Sequence, residues 1–323
     1  MVKQLIVLAA LLCTQNVFAE NYALSDKAYL EGNPRTDHQA NKTLKVYPEL
    51  LCDLKNKIVY IYSKFSEATP GDPIELFLIG EGSGHDYEAI AISTAKPSDI
   101  RASLQLMNIP VGRPVDPEKI QFWPKGERMI VKVHYKDPND EQFKIVRGED
   151  FVINKVTDKL MIRRGWTFTG SRYVDVPNKP GEKALSGDIF SPNAIISNYN
   201  YKDALLDVPI QASQQEVFAN YTANPKLLLP PHHPLIVTIE PENKDGTLRV
   251  LDTELLIEHS KEKYNYSLTS KKGGTLYSGS DLKTLVSSVK EVQSNGHDIY
   301  TTVRYNPTLS LVNAMTVSAR IEK

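Results

Sequence analysis

Cysteine is nearly missing from this 323-residue chain, which holds two, Cys13 and Cys52. That excludes the disulfide frameworks on which small exported domains depend. Charge of one sign is missing too: 38 Lys+Arg stand against 39 Asp+Glu, a formal charge of -1. Neither nucleic acid nor an anionic membrane is therefore expected as the main partner. The longest early apolar run, Leu5 to Leu12, is less than half of the ~20 residues that a bilayer-crossing helix needs. With 41% hydrophobic and 24% charged residues, the chain has the composition of a folded globular protein, long enough for two domains.

The N-terminus carries a tripartite pattern: Lys3, the run to Leu12, then Gln15 and Asn16 before Val17-Phe18-Ala19. This order predicts a secretory signal cleaved after Ala19, so residues 1–19 are expected as a signal peptide and the mature chain as exported, to the periplasm or beyond, with no transmembrane span left. Leu12 precedes Cys13, where lipidation needs a small residue, which argues against a lipoprotein. Cleavage leaves Cys52 alone, in Leu50-Leu51-Cys52-Asp53-Leu54, the setting of an inert small hydrophobe rather than a catalytic thiol.

Residues 20–46 are polar and read as a linker or loosely packed arm. From Lys57 onward, strand patterns dominate: Ile58 to Tyr62, Ile74 to Ile79, Asp86 to Ser93, Met129 to Tyr135, Phe143 to Val146, Gly165 to Thr169 and Leu235 to Ile239. One helix is expected after Pro97-Ser98-Asp99, with Ser98 as the capping hydroxyl and Ile100, Leu104 and Met107 on one face. Prolines scattered from 177 to 234 argue against a long helix there. The last seventy residues predict strands at Thr253 to Glu258, Tyr264 to Thr269 and Ile299 to Tyr305. Helices are expected through Leu282, Leu285, Val286, Val289 and Val292, and through Leu311, Val312 and Met315. The expected fold class is α+β: a β-rich main domain over 47–250 with few helices, then a small α+β module over 251–323.

Chemistry-bearing residues are sparse. Gly80, Gly82 and Gly84 lack the following helix that a phosphate loop requires and read as a turn. On a strand, His85 and Glu88 would point to opposite faces, and His232-His233 lies between prolines without ligand spacing, so no metal or cofactor is expected. Arg163, Arg164, Trp166 and Arg172 are candidates for a cationic and aromatic ligand patch, although a basic turn before a buried tryptophan explains them more simply. The 16 tyrosines would suit a glycan groove and are equally at home in strands. Asn41, Asn220 and Asn265 begin glycosylation triplets of the kind that chance supplies.

Asp86-Tyr87-Glu88-Ala89-Ile90, Ala95-Lys96-Pro97-Ser98-Asp99-Ile100-Arg101-Ala102-Ser103-Leu104, Gly112-Arg113-Pro114, Phe122 to Arg128 and Trp166 to Arg172 together resemble the YdjY-type domain of exported bacterial proteins, over about residues 50–240. Arg101 stands where that family commonly has histidine. The resemblance implies a fold and a bacterial envelope location, and no reaction. The C-terminal strand–turn–helix–strand–helix order loosely resembles the periplasmic domain of ExbD-type proteins. The primary functional expectation is a non-catalytic binding or scaffold module for an envelope protein, peptide or polysaccharide. The alternative is a hydrolase of an envelope polymer in which folding brings together His85, Glu88 and Asp99 for acid/base work.

Overall fold

Ile58 to Phe65 reads Ile-Val-Tyr-Ile-Tyr-Ser-Lys-Phe, β-branched and aromatic on both faces, so a strand built from it has two faces to bury. In the computed structural model, which describes residues 26–116, 124–242, 250–260, 263–270, 274–294 and 297–304, it does so as β3 (Ile58–Phe65). β1 (Leu44–Tyr47) and β2 (Leu50–Asp53) lead into it as antiparallel neighbours. Around it an eight-stranded barrel closes. The other seven staves are β4 (Leu76–Gly80), β5 (Ala89–Ser93), β6 (Arg128–Lys136), β10 (Trp166–Phe168), β13 (Ile196–Ser197), β14 (Leu206–Asp207) and β16 (Pro234–Pro241); β7 (Phe143–Arg147) pairs with β6 off this path, and β8 (Val152–Asn154), β9 (Lys159–Leu160) and β15 (Tyr221–Ala223), like β11 (Tyr173–Asp175) and β12 (Lys183–Leu185), form small sheets of their own. They run in the order β3-β16-β6-β10-β14-β13-β4-β5, and β5 returns to β3 through Lys64↔Ile92 and Phe65↔Ala91. All pairs are antiparallel except β13/β14 and β4/β5. The molecule is a β-rich α+β protein.

Alternation along the staves decides what fills the barrel. Val59, Ile61 and Phe65 meet Phe77, Val131, Val133, Trp166, Val237 and Ile239 inside. Phe151 enters from a 3-10 turn, Gly148–Phe151, and lies among Phe65, Phe77 and Tyr135 with ring centroids 5.9, 6.4 and 6.1 Å away; Trp166 packs on Phe77 at 5.4 Å. Removing one such aromatic from a packed core costs about 3–5 kcal/mol. The turn is locked by Glu149, fully buried, whose carboxylate accepts from Arg147 Nε and Nη2 at 3.2 and 2.8 Å and from the Gly165 backbone N–H at 2.7 Å.

The outer face of β3 is covered by residues that composition alone makes look loose. Within 26–46, expected as a linker or arm, Leu30 at the end of α1 (Lys27–Leu30) and Leu44 are buried against Leu51, Tyr60, Tyr62 and Ile236. Asp26 is buried as well and accepts from the Thr36 hydroxyl at 2.7 Å. A few well-spaced leucines dock this segment, a signal that averaging over a polar stretch conceals.

The first expected helix forms as α2 (Pro97–Leu106), burying Ile100 and Leu104. Ser98 does not cap it with its side chain; its backbone N–H donates to Asp188 Oδ1 at 2.9 Å, a cap supplied by α3 (Ser186–Ile189). Between residues 177 and 234 the helices are short, α3 and α4 (Gln214–Asn220), the latter closed by a Ser213/Glu216 capping box. C-terminal to the barrel, β17 (Val250–Ser260), β18 (Lys263–Ser270), β19 (Gly274–Gly279) and β20 (His297–Arg304) form a four-stranded sheet in the order β19-β18-β17-β20. Helix α5 (Leu282–Ser294) places Leu285, Val289 and Val292 on Leu255, Ile257 and Leu268, while Leu282 and Val286 stay exposed. The signal segment, Phe122-Trp123 and the helix expected through Leu311, Val312 and Met315 lie outside the described residues.

His134 sits opposite Ile236 on the outer face of the β6/β16 pair, its Nε2 3.2 Å from Thr238 Oγ1. Burial, aided by the charge of Lys132, pushes its pKa down to about 3. The native state therefore keeps the imidazole neutral while the unfolded chain takes up a proton below its ordinary value near 6.5, so stability falls as pH drops through that window. Replacing His134 by Leu should remove this dependence. The difference in unfolding free energy between wild type and His134→Leu should change by about 1.4 kcal/mol per pH unit from about pH 6 to about pH 4. Parallel profiles in urea denaturation would contradict the assignment.

Candidate functional site

The expected strand from Asp86 begins three residues late. Asp86–Glu88 is a 3-10 turn, preceded by Gly82 and Gly84 at positive φ, and only Ala89–Ser93 is strand. The turn changes the geometry of His85 and Glu88, which a strand would have sent to opposite faces. Here His85 Nδ1 lies 2.6 Å from Glu88 Oε1. Asp99 does not join them. It sits in the first turn of α2, where its charge suits the helix dipole, and among the described residues no hydrogen bond or ion pair links it to either.

Glu75, which the sequence reading missed, accompanies the pair. It is 4% exposed, with Glu88 9% exposed, and its Oε2 accepts from Gln214 Nε2 at 2.6 Å. Burial holds the Glu75 carboxyl above its ordinary range; the Gln214 hydrogen bond works against this, and the negative charge of Glu88 reinforces it. Tyr199 and Tyr201, with rings 5.5 Å apart, cover the outer barrel wall nearby. Burial raises the Tyr199 pKa, with negative charge at Tyr201, Glu75 and Glu88 adding to the rise, so the phenol stays protonated. A single acid inside the apolar run from Ile74 to Ile79 was the available signal for Glu75.

Next to this cluster a shallow cleft opens to solvent, with about 30 Å³ of room, enough for a water molecule. Met161 and Ile162 form one wall, Val208, Pro209 and Ile210 the other, and Arg164 and Tyr221 also line it. The second wall is held by Asn200, whose Nδ2 donates to the carbonyls of Val208 and Ile210 at 3.2 and 3.0 Å, and whose Oδ1 accepts from the Ala212 N–H at 2.8 Å. Two residues beyond Ala212, Gln214 reaches Glu75, so one loop serves both cleft and acid cluster. Asn198 also lines the cleft and is 3% exposed. Its backbone N–H donates to the Glu75 carbonyl at 3.0 Å and its Nδ2 to the Ile74 carbonyl at 3.2 Å. Its Oδ1 has no hydrogen-bond partner among the described residues.

The other sequence candidates are structural. Arg163 holds Asp150 through two hydrogen bonds of 2.9 and 2.6 Å. Trp166 is fully buried in the barrel, and Arg172 pairs with Asp203 at 2.7 Å. Of the four, Arg164 alone lines the cleft, while its backbone carbonyl accepts from the Arg128 guanidinium. Cys52 is buried with its thiol pushed up to about 11 by burial, which keeps it unreactive. Among the described residues no three His, Cys, Asp or Glu side chains are grouped to hold a metal, and no helix is long and apolar enough to cross a membrane.

Comparison with known proteins adds no relative: no family model, no curated protein and no solved structure matches the chain. The site is thus read from its own chemistry. If the Glu88 charge helps to hold the Glu75 proton, Glu88→Gln should lower the Glu75 titration midpoint, followed by carbon-13 NMR of the side-chain carboxyl. An unmoved midpoint would show that burial alone sets it.

Proposed function

We propose that this chain is an exported binding module whose barrel presents the cleft between Met161-Ile162 and Val208-Ile210 to a protein, peptide or polymer partner in a bacterial envelope. One observation carries the reading: a cleft with apolar walls, lined also by Asn198, whose buried Oδ1 has no hydrogen-bond partner among the described residues. A buried acceptor left unsatisfied costs about 1–3 kcal/mol, so its place beside a cleft marks the spot. Apolar walls around a few placed polar groups are the usual make-up of a ligand site. The N-terminal pattern and the resemblance to YdjY-type domains support an envelope location and leave the chemistry open.

A second reading, hydrolysis of an envelope polymer, is favoured by the raised Glu75 carboxyl beside Glu88, an arrangement suited to a general acid. Against it, the Glu88 carboxylate is engaged by His85 and Asp99 stands apart.

Photo-crosslinking separates the two. With p-benzoylphenylalanine replacing Ile162, Lys179 or His85 in turn in cells that produce the chain, adducts are expected from position 162 and not from the exposed turn at 179. Adducts from position 85 without any from 162 would move the site to the acid cluster and contradict the cleft reading.

A further inference from the structure

Away from the cleft, two exposed cations face each other. Arg113 and Lys125 form an antiparallel bridge, the Arg113 N–H donating to the Lys125 carbonyl at 2.6 Å and the Lys125 N–H to the Arg113 carbonyl at 2.9 Å. Residues directly opposite in such a bridge carry their side chains on one face, where like charges repel. Both side chains are exposed, and among the described residues neither has an ion pair. Glu127, two residues beyond Lys125, pairs with neither. A third cation stands close by. Gly170 is crowded by Val111, two residues before Arg113, and by Arg101 Nε, which lies 3.6 Å from where a Cβ would stand. The Arg101 guanidinium makes no hydrogen bond or ion pair among the described residues, and it sits 4.8 Å from the centroid of the Tyr173 ring, which is 61% exposed. Arg172, the next arginine along, adds little charge because Asp203 neutralises it.

Three cations without counter-ions beside an exposed ring make a face for an anion, one that the overall charge of -1 conceals. The ring narrows the choice. A phosphate or carboxylate alone would engage the cations and leave the aromatic surface unused. A pyranose presents a face of weakly positive C–H groups, which packs on the negative face of an aromatic ring, and a uronic acid adds a carboxylate to each such sugar. Nucleic acid also joins rings to charge, but its phosphates are more densely spaced than three separate cations match, and the net charge of the chain disfavours it. We propose that Arg101, Arg113 and Lys125, with the open face of Tyr173, bind an acidic polysaccharide built from uronic acids. One sugar stacks on Tyr173 with its carboxylate on Arg101, and the carboxylate of a neighbouring sugar meets Arg113 and Lys125. This face shares no residue with the cleft, so the two stand or fall separately.

The test is isothermal titration calorimetry on the full chain with hexagalacturonate, its fully methyl-esterified form and hexathymidylate. The acid is expected to bind about tenfold more tightly than the uncharged ester, the scale of two or three exposed ion pairs, and to lose that advantage as salt is raised. The double variant Arg113→Gln/Lys125→Gln should weaken the acid and leave the ester unchanged, whereas Tyr173→Ala should weaken both. The acid–ester comparison on the unaltered protein stands even where a variant fails to fold. Equal binding of acid and ester, or binding of neither, would overturn the proposal. Hexathymidylate binding as tightly as hexagalacturonate would also overturn it, by assigning the face to nucleic acid.

Discussion

The structure depends on one strand having three partners. β3 pairs with β16 along one edge, and on the other with β2 through Ile58 to Ile61 and with β5 through Lys64 and Phe65. The last of these contacts closes the barrel, and closure removes the sheet edges that an open β-structure must protect. Because both faces of β3 are apolar, closure also requires two cores: the aromatic interior around Phe151 and the outer layer of Leu30, Leu44, Tyr60, Tyr62 and Ile236. The hydrophobic term, proportional to apolar area removed from water, thus explains why so polar an N-terminal segment is docked.

The site follows from the same closure. β4 lies between β13 and β5, so the residues just before it, Ile74 and Glu75, are set beside Asn198 just after β13. At that junction Asn198 donates its backbone N–H to the Glu75 carbonyl and its Nδ2 to the Ile74 carbonyl, and its buried Oδ1 is left without a hydrogen-bond partner among the described residues. The buried carboxyl of Glu75 is placed by the same two segments. Cleft and acid cluster are two sides of one strand junction, which is why a single loop from Val208 to Gln214 serves both.

Much of this was legible in sequence, and the failures have physical causes. Strands at Met129 to Tyr135 and Leu235 to Ile239, and the C-terminal strands and helix through Leu285, declare themselves because their apolar spacing matches one local period. The helix after Lys96 was readable, but its cap was not, since Asp188 arrives from 90 residues away. His85 and Glu88 were misjudged because a three-residue turn replaced the start of a strand, and turn geometry reverses which side chains meet. Arg172 and Asp203, or Arg163 and Asp150, form pairs that spacing cannot foresee. Asn198 is the extreme case: the same asparagine would be a solvated loop residue in a different topology, and only burial makes its unpartnered oxygen informative.

The central claim is that barrel closure holds the cleft preformed. Native-state hydrogen exchange measures this at two amides, Ser66 N–H, bonded to the Ile90 carbonyl across the β3/β5 seam, and Asn198 N–H, bonded to the Glu75 carbonyl beside the cleft. If closure holds the cleft, both amides should open only with global unfolding and report the same free energy as denaturant titration. An Asn198 amide that exchanges by a far cheaper local opening, while Ser66 stays protected, would show that the barrel stands without fixing the cleft.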